Sequence, residues 1–145
     1  MPSLESELKT YLLTKSAITD LVGSGSSARI FEDRPRQNRD APFIVITTFD
    51  GVSTEHIGGI SGLARNRVQI DCHGSTSAEA YTLAEAVRLA PLQMFRGTMG
   101  STYVNSVTSE FGYRKFSYEK AKGSDTQVFV RSRDYIVFYQ EATSV

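Results

Sequence analysis

Tryptophan is absent from this chain of 145 residues, cysteine occurs once, histidine occurs twice, and sixteen basic residues balance sixteen acidic ones. Each shortage excludes a class of protein. With Cys72 alone, no intrachain disulfide forms, so a stapled secreted scaffold is excluded and folding in a reducing cytoplasm is expected. A metal centre needs several converging ligands, and His56, His73 and Cys72 are the only histidine or cysteine candidates, so neither a metal nor a cofactor is expected. Charge balance removes the basic excess by which a protein grips phosphates, and tight autonomous DNA binding is not expected. No run of about 18 apolar residues is available to span a bilayer, and the N-terminus, with Glu5 and Glu7, lacks a signal-length apolar stretch. Neither membrane insertion nor signal-directed export is expected.

What is present is an ordinary globular composition, 40% apolar and 22% charged, at a length suited to one domain over residues 1–145. Leu4, Leu8, Tyr11 and Leu12 recur at helical spacing after Ser3, a candidate cap. Ser16 is placed to cap a second, shorter helix through Ile18, Leu21 and Val22, closed by Gly23 in a left-handed conformation. Ile30 and Phe31 form a brief strand. Residues 43–49, β-branched and aromatic on both faces, predict a central strand covered on both sides, with Pro42 at its entry. Residues 51–62 are glycine-rich and read as a long connection.

Val68, Ile70 and Cys72 alternate with polar neighbours, which predicts a second strand paired with the first. Thr76 and Glu79 have capping-box spacing ahead of Ala80, Leu83, Ala84 and Val87, a small-residue face that should lie close to the sheet, with Pro91 marking the helix end. Tyr103, Val104 and Val107 predict a third strand. Residues 112–125 read as a polar excursion, and 127–140 as one long strand or two with a bulge near Ser132. The tail after Gln140 is expected to be loose in the isolated protein. The order predicts an α+β fold: a small, mostly antiparallel sheet with two N-terminal helices and one longer helix packed on one side.

No catalytic constellation emerges. Cys72 and His73 are adjacent on a strand and point to opposite faces, so they cannot act together as nucleophile and base. Cys72 reads as a small core hydrophobe and His73 as an exposed strand-end residue. Residues 23–28 match the dinucleotide-binding glycine pattern by letter but follow a helix, where that motif must follow a strand. Arg29, Arg34, Arg36 and Arg39 crowd one segment, yet Glu32, Asp33 and Asp40 lie among them, the mark of a solvated mixed-charge loop. The aromatics concentrate in the last third. Phe111, Tyr113, Phe116 and Tyr118, with Arg114 and Lys115 between them, are too aromatic for an ordinary loop and too polar for core, which predicts an amphipathic interface arm.

Several blocks in order resemble one family. Leu21-Val22-Gly23, Arg29-Ile30-Phe31, Ala41-Pro42-Phe43-Ile44-Val45-Ile46, Val68-Gln69-Ile70-Asp71, and Glu79-Ala80 with Leu83-Ala84-Glu85-Ala86-Val87 are similar to successive blocks of the tail-completion proteins of long-tailed bacteriophages. The closing strand Val128 to Tyr139 is similar too. The chain departs from the family at Cys72-His73-Gly74, where members often carry an aromatic, and residues 94–125 match nothing in it. The resemblance implies a structural virion protein at the head–tail junction, not an enzyme, that assembles as a homo-oligomeric ring, usually a hexamer. Such a ring caps the tail tube, ends its polymerisation and meets the head connector, with DNA only as cargo in the channel; the alternatives are a head-side neck or stopper protein or a small DNA-binding module. Candidate contact residues are Arg34, Arg36 and Arg39 in the mixed-charge loop, His56 in the glycine-rich segment, and Phe111, Tyr113, Arg114, Lys115, Phe116 and Tyr118 in the arm. Removal of residues 112–122 is expected to leave the domain folded and to weaken ring closure.

Overall fold

The computed structural model describes residues 4–33, 41–49, 52–56, 59–89, 95–109, 112–120, 123 and 126–140. Two short helices open the chain, α1 (Leu4–Leu12) and α2 (Ser16–Val22). Leu4, Leu8 and Leu12 recur every four residues and are buried, while Glu5 and Glu7 occupy the first turn of α1, where the helix dipole favours negative charge. The expected cap at Ser3 lies outside the described residues. Ser16 is the first helical residue of α2, and extended Lys15 precedes it without a side-chain cap bond, so the chain turns one residue earlier than the sequence predicts. Gly23 does close α2 at positive φ (90°), its N–H bonding Thr19 O. Its ψ of 173° is extended and not left-handed helical, which sends the chain directly towards the sheet.

The strands are β1 (Ile30–Glu32), β2 (Phe43–Thr48), β3 (Val52–His56), β4 (Gly59–Gly74), β5 (Gly97–Met99), β6 (Thr102–Thr108), β7 (Arg114–Glu119) and β8 (Gln127–Gln140), with α3 (Ser77–Val87) between β4 and β5. They form one sheet in the order β1-β2-β4-β8-β6-β5, with β3 added on β4 and β7 on β8. Every pairing is antiparallel except β1 with β2. The long strands β4 and β8 form the spine, paired without a break from Leu63 opposite Gln140 to Gly74 opposite Phe129. At one end of this spine β2 and β1 flank β4 while β7 flanks β8; at the other, β3 flanks β4 while β6 and β5 flank β8.

All three helices cover one face. Ile44, Ile46, Val68, Ile70, Cys72, Tyr135 and Val137 project from that face into one core with the buried residues of α1, α2 and α3. This is the predicted α+β arrangement. The predicted central strand is β2, whose Phe43, Ile44, Val45 and Ile46 are buried on both faces. The capping box of α3 forms through Thr76 Oγ1, which accepts the Glu79 N–H at 3.0 Å, while the Glu79 carboxylate reaches back one residue further than expected, to the N–H and hydroxyl of Ser75. Ala80, Leu83, Ala84 and Val87 face the sheet as the small-residue pattern predicts. The approach is so close that a Cβ on Gly74 would lie 2.5 Å from the Ala80 backbone nitrogen.

Two expectations are corrected. The glycine-rich connection is strand for much of its length: Val52 pairs with Arg65 and His56 with Gly59, because the long neighbour β4 offers a backbone ladder that weak local propensity does not forbid. The polar excursion contains β7, paired with β8 from Arg114 opposite Ser132 to Glu119 opposite Gln127. Of the two readings of residues 127–140, one long strand holds, since Ser132 lies in an unbroken ladder with its hydroxyl engaged by Arg114. Pro91 and the tail after Gln140 lie outside the described residues.

Candidate functional site

The region around β7 gathers most of the polar and aromatic chemistry. All six of its side chains are exposed. Phe116 lies opposite Val130, which lies opposite His73, so Arg114, Phe116 and Tyr118 share the helix-free face. Lys115 and Ser117 share the helix face with Arg131 and Phe129. A shallow groove of about 200 Å³ separates Ser77, at the start of α3, from Lys115, Phe116 and Ser117, with Phe129, Val130 and Arg131 lining its floor.

An aromatic row crosses the helix-free face. Phe31 packs on Phe43 with centroids 5.9 Å apart, Phe43 stacks on His73 at 4.2 Å and 13°, and Tyr118 meets the edge of His73 at 5.7 Å. The Tyr118 hydroxyl, reaching across β8, lies 3.1 Å from His73 Nδ1. His73 is therefore not the exposed strand-end residue expected from sequence: it is 8% exposed, because an edge strand invisible in the apolar pattern brings Tyr118 over it. Burial lowers its pKa to about 4 despite the opposing charge of Asp71, so the ring is neutral at pH 7. Cys72, pointing the other way, is buried in the core as expected, and burial pushes its thiol upwards.

Next to this row, Asp134 joins two arginines. Its Oδ2 accepts from Arg67, with Nε at 2.9 Å, and its Oδ1 accepts from Arg114 at 2.9 Å. Arg114 also donates to Ser132 Oγ, and the Arg67 guanidinium lies over the Phe49 ring at 5.4 Å. On the helix face, the Tyr113 hydroxyl donates to Glu85 Oε1 at 2.8 Å, which fastens the approach to β7 onto α3. The Arg88 guanidinium beside Glu85 holds that carboxyl below its usual range; burial, then the Glu85 bond, pushes the Tyr113 phenol up to about 12. Arg133 lies over the Tyr113 ring and Arg131 over that of Tyr81.

A family model, the tail completion protein gp17, matches residues 6–91 of this chain. The chain belongs to that family. As a tail completion protein it is a phage tail structural protein of the virion. Its fold is shared by a solved chain described as the virion of a native gene transfer agent particle, at a TM-score of 0.72 over 95% of both chains with 12% sequence identity. None of the curated proteins matches it in sequence.

The family match takes in most of α1, all of α2 and α3, and β1 to β4, and stops short of β5 to β8. Of the residues singled out from sequence, Tyr113, Arg114, Lys115, Phe116 and Tyr118 come together on or beside β7. Arg34, Arg36, Arg39 and Phe111 lie outside the described residues. His56 ends β3, at the far end of the spine and roughly 40 Å of strand from β7. Arg29, grouped with the loop arginines, is instead part-buried and donates to the carbonyls of Pro42 and Leu21.

Sequence reasoning missed Phe43 and His73 as supports of Tyr118, and Asp134 as partner of Arg114. The alternation of Phe116 and Tyr118 about Ser117 spans three residues, too short a period-two pattern to announce a strand. Among the described residues no three His, Cys, Asp or Glu side chains gather to hold a metal, and no helix is long and apolar enough to cross a membrane.

Proposed function

We propose that this tail completion protein forms a homo-oligomeric ring, a hexamer, which caps the tail tube, ends its polymerisation and joins the tail to the head connector. The role is structural and not catalytic. DNA passes through the channel as cargo. The observation that carries this reading, beyond family membership, is β7: among the described residues a strand open on its outer edge, which presents Phe116, 53% exposed, beside Tyr118, Arg114 and Lys115. Aromatics and arginine are favoured at protein contacts, and an open edge is a template for a further strand. A closed ring needs two different patches on each subunit, and stacking on a tube needs a third. Residues 113–118 supply one patch; Arg34, Arg36, Arg39, Phe111 and His56 are candidates for the others.

Native mass spectrometry and electron microscopy, with and without purified tail tubes, test the reading. A defined ring that docks on tube ends is expected. A chain that stays monomeric at every concentration and never occupies a tube end would sink it.

A further inference from the structure

Among the described residues, two sheet edges lie open at the same end of the spine, β1 on one flank and β7 on the other. Their directions follow from the ladders: β1 runs with β2, β2 against β4, β4 against β8, and β8 against β7, so β1 and β7 are antiparallel. A sheet continued into a second copy in the same orientation brings β7 of one against β1 of the next as an antiparallel pair. That pairing sets the basic start of β7 against the acidic end of β1.

The outward backbone groups are identifiable. Arg29 O accepts from Ile44 N–H and Asp33 N–H donates to Ile46 O, so residues 29, 31 and 33 turn towards β2, and Ile30 and Glu32 turn outward. Lys120 N–H donates to Thr126 O in continuation of the β7–β8 ladder. Residues 114, 116 and 118 therefore turn towards β8, and Lys115 and Ser117 turn outward.

We infer that the subunits join through β7 of one copy and β1 of the next, with Lys115 opposite Glu32, Phe116 opposite Phe31 and Ser117 opposite Ile30, and with Arg114 near Asp33, which turns out of the strand at φ of 68°. This names the subunit contact of the proposed ring and rests on that reading. The register keeps the faces consistent, since Ile30 and Phe31 lie on the helix and helix-free faces respectively, as Ser117 and Phe116 do. A slip of two residues either way sets Glu32 against Ser117 or Tyr113 and leaves both bases without their acids. Glu32, Asp33 and Lys115 are exposed, so their charges are available to meet, while Arg114 keeps its bonds to Asp134 and Ser132 and adds positive charge to the same edge. The same register lays exposed Phe116 against Phe31, which packs on Phe43 at the β1 side of the aromatic row. The two edges differ, which makes the contact heterologous, the type that closes into rings.

Cross-linking and charge exchange test the contact on the full chain. Opposed residues of a bonded antiparallel pair have Cα atoms about 5.5 Å apart, within disulfide reach. Glu32→Cys and Lys115→Cys variants, mixed and oxidised, are expected to give a mixed dimer, with buried Cys72 silent. Lys115→Glu is expected to cut the ring population roughly ten-fold or more, since it faces two like charges. Adding Glu32→Lys to that variant should restore it, with thermal melts showing all variants folded. Rings indifferent to Lys115→Glu, or Lys115→Cys linking only to itself, overturn the β7–β1 contact and leave the ring standing. A native chain that forms no ring even on tail tubes brings down both.

Discussion

The hydroxyl of Tyr118, on an edge strand, lies 3.1 Å from Nδ1 of His73, on the longest strand of the spine, with β8 between them. The contact withdraws the imidazole from water. His73 titrates near 6.5 when unfolded and about 4 here, so between those values the unfolded chain binds a proton that the folded chain refuses. Its contribution is therefore constant above pH 6.5, destabilises progressively as the pH falls towards 4, and levels off below, by on the order of 3 kcal/mol in all. Urea unfolding near pH 7 and near pH 4.5 should show a larger acid loss for the native chain than for His73→Phe. Equal losses would show that the ring is protonated freely in the fold.

Gly74 ends β4 beneath α3, and an added Cβ would meet the Ala80 backbone nitrogen at 2.5 Å. A backbone atom held in a capped helix cannot swing aside as a side-chain end does. Gly74→Ala is expected to cost about 3 kcal/mol, the upper end for overpacking. Chemical denaturation measures it, and a cost below about 1 kcal/mol would mean that α3 shifts freely on the sheet.

Glu7 is buried, and its carboxylate accepts from both the N–H and the hydroxyl of Ser101, each at 2.6 Å. This clasps α1 to the β5–β6 turn. Glu7→Ala leaves those donors without an acceptor and should destabilise the chain by about 2 kcal/mol, with hydrogen exchange fastest to rise at residues 100–102. Protection there that matches the native chain would contradict the clasp. Gly100→Ala tests the same place independently, because Gly100 has φ of 62° and its added Cβ would collide with the Glu7 carboxylate.

Deleting residues 112–122, expected from sequence to spare the fold, removes a whole strand. Val128, Val130 and His73 lose the cover of Tyr118 and Phe116, and Asp134 loses Arg114. The deletion is expected to lower stability by several kcal/mol and to expose apolar surface that binds a hydrophobic dye. The point variant Phe116→Ser, which leaves the ladder intact, is expected to stay folded while weakening assembly. Full stability in the deletion would return β7 to the status of a detachable arm.

Much of the fold was legible because its signals are local. The four-residue recurrence of Leu4, Leu8 and Leu12, the Thr76–Glu79 capping box, and the alternation through Val68, Ile70 and Cys72 each express a periodicity that backbone geometry imposes on any burying segment. Edge strands carry no such signature. The side chains of β7 are exposed on both faces, so nothing in their polarity announces pairing, and the backbone ladder that makes it a strand belongs to β8.

The sequence alone determined the α+β class, the family blocks, the divergence of Cys72 from His73 and the aromatic and basic content of residues 111–118. Tertiary structure decided the use of that content, because the contacts of Tyr118 with His73 and of Arg114 with Asp134 span 45 and 20 residues of chain. Chain separation hides such pairs from any local pattern. Only the pairing of β7 with β8, and of β8 with β4, turned an apparent loop into a supported strand.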